Sequence, residues 1–540
     1  MGGCKDYRRA AAERIKNAGE DKMKKAVSIF CLFVLGATNL LSQISNDSKI
    51  TGSYTSQKPV EQQGFRVRFS FTDEISKTPI NGRIIVGFQK DLKKGINSPD
   101  LFDPQPTFAL DIHNWKPGES IVLDRSNAIS WQGDLDSLNG WYGVQAVLKT
   151  NKKSRTLSEM IFQAKRTAIT IKNIVYIEKG NMCMPLDLLF TVLPDPPKFK
   201  ETEFIKEVNI KSELLTKFYG EKDSILAAVI LPPGYFTEKE KHYPTVYVFG
   251  GWGSSSFWGL NFQQKRYGMT GFGDEKIFVF VNHECRSGYH VFCSSETNGP
   301  REEAFFQELI PYIEKEYRVH KNPQSRFLMG QSSGAWAGLW LLISYPDQFG
   351  SAYVASPDPV DFTEFIGTNI YEKKANMYFD LKGEQKRFKN FIINSKDSSA
   401  KGLLINDFVG IDRIAGWGEQ MYSFDATFSQ RESDGAPQHL FDWHTGAVNP
   451  EVAASWKSHD LSKVISRLDT KKKQLLHEKI HIYVAEDDVF ETNIPMKAFL
   501  KTLTRMGLVA DIRFFPSGGH DVWTDKLRKL IHDDMDDKIH

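Results

Sequence analysis

Gly330-Gln331-Ser332-Ser333-Gly334 sets one serine between two glycines, the spacing of a sharp strand-to-helix turn. Such a turn strains the serine backbone and exposes its hydroxyl at the top of a sheet. A serine hydroxyl attacks a carbonyl well only when a base takes its proton and a third group orients that base. The chain offers both downstream, in the order serine, acid, histidine. Asp488 follows an apolar run ending at Val484 and is preferred as the acid to its neighbour Asp487. His520 closes the loop Ser517-Gly518-Gly519-His520, flexible enough to deliver it to Ser332. Asp358, on the loop after the next strand, is a rival acid. The chemistry also needs two backbone N–H donors aimed at the developing oxyanion. Ser333, directly after the serine, offers one. Gly251, in Gly250-Gly251-Trp252-Gly253, offers the other, with Trp252 next to it. No Gly-Lys-Ser/Thr follows that glycine loop, so it reads poorly as a phosphate cradle.

The bare pentapeptide is expected roughly 0.2 times by chance in a chain this long, so its context decides. Ser325 to Met329 reads as a short buried strand, and Ala335 to Ser344 as a helix stopped by Tyr345-Pro346. Ile225 to Leu231, Thr245 to Phe249 and Ile277 to Val281 read as strands, and Phe305 to Tyr317 as a helix. Beyond the serine come a strand at Ile480 to Val484, a helix at Pro495 to Arg505 and a strand at Asp511 to Phe515. Strands alternating with helices predict a mainly parallel sheet. From about Gly64 to Ile171 the texture differs: Phe65 to Phe71 and Gly143 to Leu148 alternate with period two, and Ile84 to Phe88 is a buried run. This predicts an all-β sandwich of immunoglobulin-like size. Its Trp115, Trp131, Trp141 and Tyr142 suit either core packing or a sugar-binding face. Pro194-Asp195-Pro196-Pro197-Lys198 is the preferred boundary. The division is thus 1–43, a signal segment; 44–194, the β-domain with its connection; and 195–540, the α/β domain. A long insert at about 358–474 carries Trp417, Trp443 and Trp456 and suits a lid or substrate wall.

The bulk properties exclude some classes. A net charge of +2 over 540 residues, with 25% charged residues, supports neither nucleic-acid binding nor adhesion to an acidic surface. Lys24-Lys25 precede the apolar run Ala26 to Leu35, and small or polar residues follow to Ser42-Gln43. That is the layout of a secretory signal, too short to span a bilayer, with Met23 as the suggested natural start. The expected location is secreted or periplasmic, without stable membrane insertion after signal removal. Cys285 and Cys293 bracket a short loop and read equally as a disulfide or as two thiols. The cluster His283, Cys285, His290 and Cys293 matches no strong zinc pattern, so no metal is expected.

Several segments carry a resemblance: Leu231-Pro232-Pro233-Gly234-Tyr235, Asn298-Gly299-Pro300 leading into Glu308 to Glu314, and Tyr317-Arg318-Val319. The Ser332 pentapeptide, Tyr345 to Gly350 and Gly519-His520 complete it. In these, residues from about Glu203 onward resemble the family named Putative esterase, the esterase-D-like branch of the α/β-hydrolases. That branch includes feruloyl and acetyl-xylan esterases, enterochelin esterases and mycolyltransferases. The resemblance implies an α/β-hydrolase domain with Ser332 as nucleophile, His520 as base and Asp488 as acid, and no cofactor. Phe249 and Gln331 replace frequent histidines, and Ala335 a frequent glycine. None of these removes a catalytic atom, but the Phe249 and Gln331 replacements are expected to reshape the acyl pocket. Trp252, Gln331 and Trp417 are the expected substrate contacts. The expectation is an exported serine hydrolase that cleaves carboxylic esters, acyl groups on glycans above all, through an acyl-enzyme. The alternatives are a peptidase or acyltransferase on the same residues, and an inactive glycan-binding homologue.

Overall fold

The computed structural model describes residues 63–94, 99–150, 173–182, 185–190, 198–261, 275–392 and 401–539. The signal segment 1–43 and the break at Pro194-Pro197 lie outside them. The chain divides into two compact units. Among the described residues, the first holds those from 63 to 190 and also takes in Gly410–Gly416 from the long insert; the second holds the rest.

In the first unit, strands at Ile80–Gln89, Thr107–Trp115 and Gly140–Lys149 form the centre of a seven-stranded antiparallel sheet. A second sheet of three strands sets Val67–Phe71 between Leu186–Phe190, parallel to it, and Ile121–Leu123, antiparallel to it. Alternation explains the packing: Val67, Phe69 and Phe71 point inward, while Arg68 stays exposed. These three, with Leu188 and Phe190, share one core with Ile84, Val86 and Phe88 of the larger sheet. The aromatic residues that suited a sugar-binding face divide in the structure. Trp115 lies in that core, edge-on to Phe71 at 4.7 Å. Trp131 is buried against Ile411, Ile414 and Ala415 of the insert segment. Both therefore pack the unit. Trp141 is half-buried against Tyr176.

The second unit carries an eight-stranded sheet, numbered here within the unit. Its strands are β1 (Ile205–Ser212), β2 (Asp223–Ile230), β3 (Thr245–Phe249), β4 (Ile277–Val281), β5 (Arg326–Gln331), β6 (Ser351–Ala355), β7 (Ile480–Ala485) and β8 (Asp511–Phe515). The spatial order is β1-β2-β4-β3-β5-β6-β7-β8. Only β1 and β2 run antiparallel to their neighbours; β4 through β8 are parallel. Every residue of β3, β4, β6 and β7 is buried, as a parallel sheet covered on both faces requires. This is the α/β-hydrolase fold. Helix α1 (Ser333–Ser344) follows β5 and is apolar nearly all round because it is buried nearly all round. The helix expected over Phe305 to Tyr317 is broken into two α segments by a π turn at Phe305–Leu309. Pro311 has no N–H to give to the carbonyl four residues back, so the ladder shifts register just before it. In the insert, α2 (Gln420–Phe428) packs its buried face into the unit, and after β7 comes α3 (Asn493–Arg505).

Candidate active site

Ser332 stands between β5 and α1 with φ 56° and ψ −122°, outside the regions a serine ordinarily adopts. The turn closes only because the flanking residues lack side chains. A Cβ on Gly330 would lie 2.1 Å from the Gly334 carbonyl oxygen, and one on Gly334 would lie 2.1 Å from that of Phe249. Hydrogen bonds hold the strained residue in place. Its N–H donates to Ala355 O of β6 at 3.0 Å, and its carbonyl accepts from Ala335 and Trp336 as the helix begins. Ser333 is the first helical residue, and the N–H groups of a helix's first turn have no partner within the helix.

The loops after β7 and β8 bring the acid and the histidine together. Asp488 is fully buried; its Oδ2 accepts from His520 Nδ1 at 2.9 Å and from the Thr492 hydroxyl at 2.7 Å. Its Oδ1 accepts from the Phe490 N–H at 2.8 Å. Burial opposes the Asp488 charge, but the His520 imidazole and these donors outweigh it and lower its pKa. Burial likewise opposes a charged His520. The Asp488 charge and hydrogen bond, helped by Asp358 and Asp521, overcome that and raise its pKa. With Nδ1 facing Asp488, Nε2 lies on the opposite edge of the ring. Asp487 has a different task, since its Oδ1 accepts from the Gly519 N–H at 2.8 Å and pins the histidine loop.

Gln331, expected among the substrate contacts, turns its amide toward that loop. Its Nε2 donates to the His520 carbonyl at 2.6 Å, and its Oε1 accepts from Trp523 Nε1 at 2.7 Å. Asp358 bonds to the serine rather than to the histidine Nδ1: Ser332 Oγ donates to its Oδ1 at 3.4 Å. Gln420 of α2 reaches both Asp358 Oδ2, at 3.3 Å, and Ser333 Oγ, at 3.4 Å. Trp417, half-buried, lies three residues before Gln420.

The glycine loop after β3 is braced from below. Gly251 O accepts from the Ser254 N–H at 3.1 Å and from its hydroxyl at 2.7 Å, and Ser254 O accepts from Tyr289 Oη at 3.0 Å. Across a trans peptide, the Trp252 N–H points away from that held carbonyl. Beneath the loop, burial pushes the pKa of His283 down to about 3 against the raising effect of the Gly251 backbone, so the ring is neutral. Trp252 is half-buried, 6.5 Å from the Tyr289 ring.

Insert residues also back the acid loop. Asn390 Nδ2 donates to Asp488 O at 3.1 Å, and Phe388, Phe391 and Phe408 surround Phe490, which stands 4.9 Å from His520. Thr492, Asn390 and Gln420 carry no sequence motif; only the folded chain brings them to the site. Cys285 and Cys293 are separate buried thiols, the first donating to Asn298 Oδ1 at 3.2 Å. No group of three or more metal-ligating side chains occurs among the described residues. A cavity of about 320 Å³ near Asn282, Cys285, His290 and Arg301 includes neither Ser332 nor His520 in its lining.

A family model described as Putative esterase matches residues 222–523. No curated protein matches the sequence. Among solved structures, a ferulic acid esterase is 18% identical, with 62% of this chain and 98% of that one covered and a TM-score of 0.37. The fluorophosphonate-binding serine hydrolase F of Staphylococcus aureus is 13% identical, covering 62% and 98%, with a TM-score of 0.36. An S-formylglutathione hydrolase from Agrobacterium tumefaciens is 12% identical, covering 63% and 95%, with a TM-score of 0.34.

Proposed function

The chain belongs to the Putative esterase family of carboxylic ester hydrolases, and from that premise we propose that Ser332, His520 and Asp488 are its catalytic triad. One observation carries the reading. Gln331, directly before Ser332, donates to the His520 carbonyl at 2.6 Å while Asp488 holds the same residue's Nδ1 at 2.9 Å. In this reading His520 Nε2 takes the Ser332 proton as Oγ attacks the ester carbonyl. Asp488 fixes the tautomer and balances the imidazolium that forms. The Ser333 N–H and a donor from the glycine loop, Gly251 with Trp252 beside it, stabilise the tetrahedral oxyanion. His520 then gives its proton to the departing alcohol, and water repeats the sequence on the acyl-enzyme.

The substrate we infer is an acyl ester on a glycan. The loop tryptophan Trp252 and the insert's Trp417 support it, as flat apolar surfaces suited to sugar rings. The charged run Lys24-Lys25 and the apolar Ala26 to Leu35 support export, and no helix among the described residues is long and apolar enough to cross a membrane. The two sheets around one core support an immunoglobulin-like first unit.

The test is release of acetate or ferulate from acylated oligosaccharides, set beside peptide amides and acyl transfer to added sugar. Ester cleavage at least 10²-fold above amide cleavage and transfer is the expected result. Dominant amide cleavage would make the enzyme a peptidase, dominant transfer an acyltransferase, and inertness in all three a binding homologue.

A further inference from the structure

Asp358 is a carboxyl group that the triad does not use, yet it touches the nucleophile. It follows β6, is only 8% exposed, and is tied down by its own N–H, which donates to Ser332 O at 3.3 Å. The donors around its carboxyl are the hydroxyls of Ser332 and Ser333 and the Gln420 amide. The Ser332 donor is temporary and the Gln420 donor is shared. The Ser332 proton, at 3.4 Å, must pass to His520 for attack, and Gln420 Nε2, at 3.3 Å, also serves Ser333 Oγ. An ionised carboxylate has about four acceptor sites, and a buried acceptor short of donors is costly. Burial raises the Asp358 pKa to about 6, against the lowering effect of its donors and of His520. The group is thus buried beside the reacting atom, and its Oδ1 loses the Ser332 donor at the moment of attack. A substrate that brings its own donor would satisfy it.

The sheet order says which half of the ester that donor sits on. The glycine loop follows β3, on one side of β5, while Asp358 follows β6 on the other side, with Asp488 and His520 beyond it. A carbonyl oxygen aimed at the glycine loop leaves the departing oxygen on the His520 side, where the histidine must reach it. Asp358, whose charge acts on His520, therefore borders the alcohol half of the ester.

We propose that Asp358, supported by Gln420, is a specificity subsite that accepts a hydrogen bond from a hydroxyl beside the ester oxygen on the alcohol half, as in a partly acylated polyol or sugar. The proposal rests on the ester-hydrolase reading of Ser332. Sites built to bond a substrate hydroxyl reject the analogue lacking it far more strongly than apolar pockets reject a missing methylene.

The experiment compares kcat/KM for 2-hydroxyethyl acetate, its donorless analogue 2-methoxyethyl acetate, and acetylcholine, which brings a cation without an N–H donor. Wild type should favour the hydroxyethyl over the methoxyethyl ester by about tenfold or more. Asp358→Ala should bring that ratio close to one, and Asp358→Asn, which keeps the shape and one acceptor, should give an intermediate ratio. The same ratio in wild type and variants would overturn the subsite while leaving the esterase reading intact. A preference for acetylcholine that disappears in Asp358→Ala would overturn it in favour of charge recognition. If wild type cleaves none of the three, the esterase reading itself fails and the subsite falls with it.

Discussion

The side-chain amide of Gln331 donates to the backbone carbonyl of His520 at 2.6 Å, so the residue before Ser332 also fixes the loop that bears His520. Two elements 189 residues apart in sequence are locked by one bond. The geometry does not depend on a flexible glycine loop finding the serine afresh: Gln331 holds it from one side and Asp487, through Gly519, from the other. Placing reacting groups in advance in this way lowers the entropic part of a barrier.

The histidine–aspartate pair sets the pH dependence. A histidine acts as a base only when neutral, and the lowering effect of burial on the His520 pKa is outweighed by Asp488, Asp358 and Asp521, which together raise it. Activity should therefore fall as pH drops through a value above the usual His range near 6.5. Asp488→Asn removes the largest raising influence, so the acid limb of kcat/KM should move to lower pH while kcat falls by about 10³-fold to 10⁴-fold. A pH–rate profile checks this; an unmoved limb would mean that another group is titrating.

Asp358 makes an opposite statement about stability. Its folded pKa of about 6 lies above the ordinary 3.8 because burial penalises the charge. The folded chain thus holds that proton more tightly than the unfolded chain does. The resulting stabilisation is complete below pH 4 and is lost as pH rises through 6. Asp358→Asn, which never ionises, should gain stability relative to wild type on going from pH 4.5 to pH 7.5, by about 2 kcal/mol. Urea denaturation at the two pH values measures it; an equal difference at both would contradict the burial of a charged carboxylate.

Gly334→Ala tests the turn itself. The added Cβ would meet the Phe249 carbonyl at 2.1 Å, and backbone cannot yield as a flexible side chain does. We expect a loss on the order of 3 kcal/mol, read as a lowered melting temperature, together with loss of esterase activity. A variant of wild-type stability and rate would show that the turn is looser than drawn here.

Much of the fold was legible because its strands are buried on both faces. Thr245 to Phe249 and Ile277 to Val281 stand in the structure at the residues the pattern predicts, since an unbroken apolar run bounded by polar turns leaves little choice of ends; Asp511 to Phe515 also stands where expected, although as the edge strand it is only half-buried. The helix at Phe305 was less legible: its apolar spacing is helical, yet Pro311 forces the π turn. That the Asp488 loop meets the His520 loop, and that Ser332 sits at a strand-to-helix turn, follows from loop position and order. Gln420 could not be read in this way, because a glutamine in a long insert has no local signature and acquires a role only when α2 packs beside Asp358. Nor does the sequence show that Trp523 and the His520 carbonyl take up both ends of the Gln331 amide. The assignment of Gly410–Gly416 to the first unit was equally hidden, because burial of Trp131 by Ile411 and Ile414 is a long-range event.

The proposed mechanism turns on Ser332 Oγ being the nucleophile that becomes acylated. The most direct measurement is intact-mass and peptide-mapping analysis after treatment with an organophosphonate that traps activated serines, alongside hydrolysis of 4-nitrophenyl acetate. One adduct per chain on the peptide bearing Ser332, appearing in step with loss of hydrolysis and absent from an inert Ser332→Ala variant, is the result expected. Labelling at another serine, or undiminished hydrolysis by Ser332→Ala, would contradict the account.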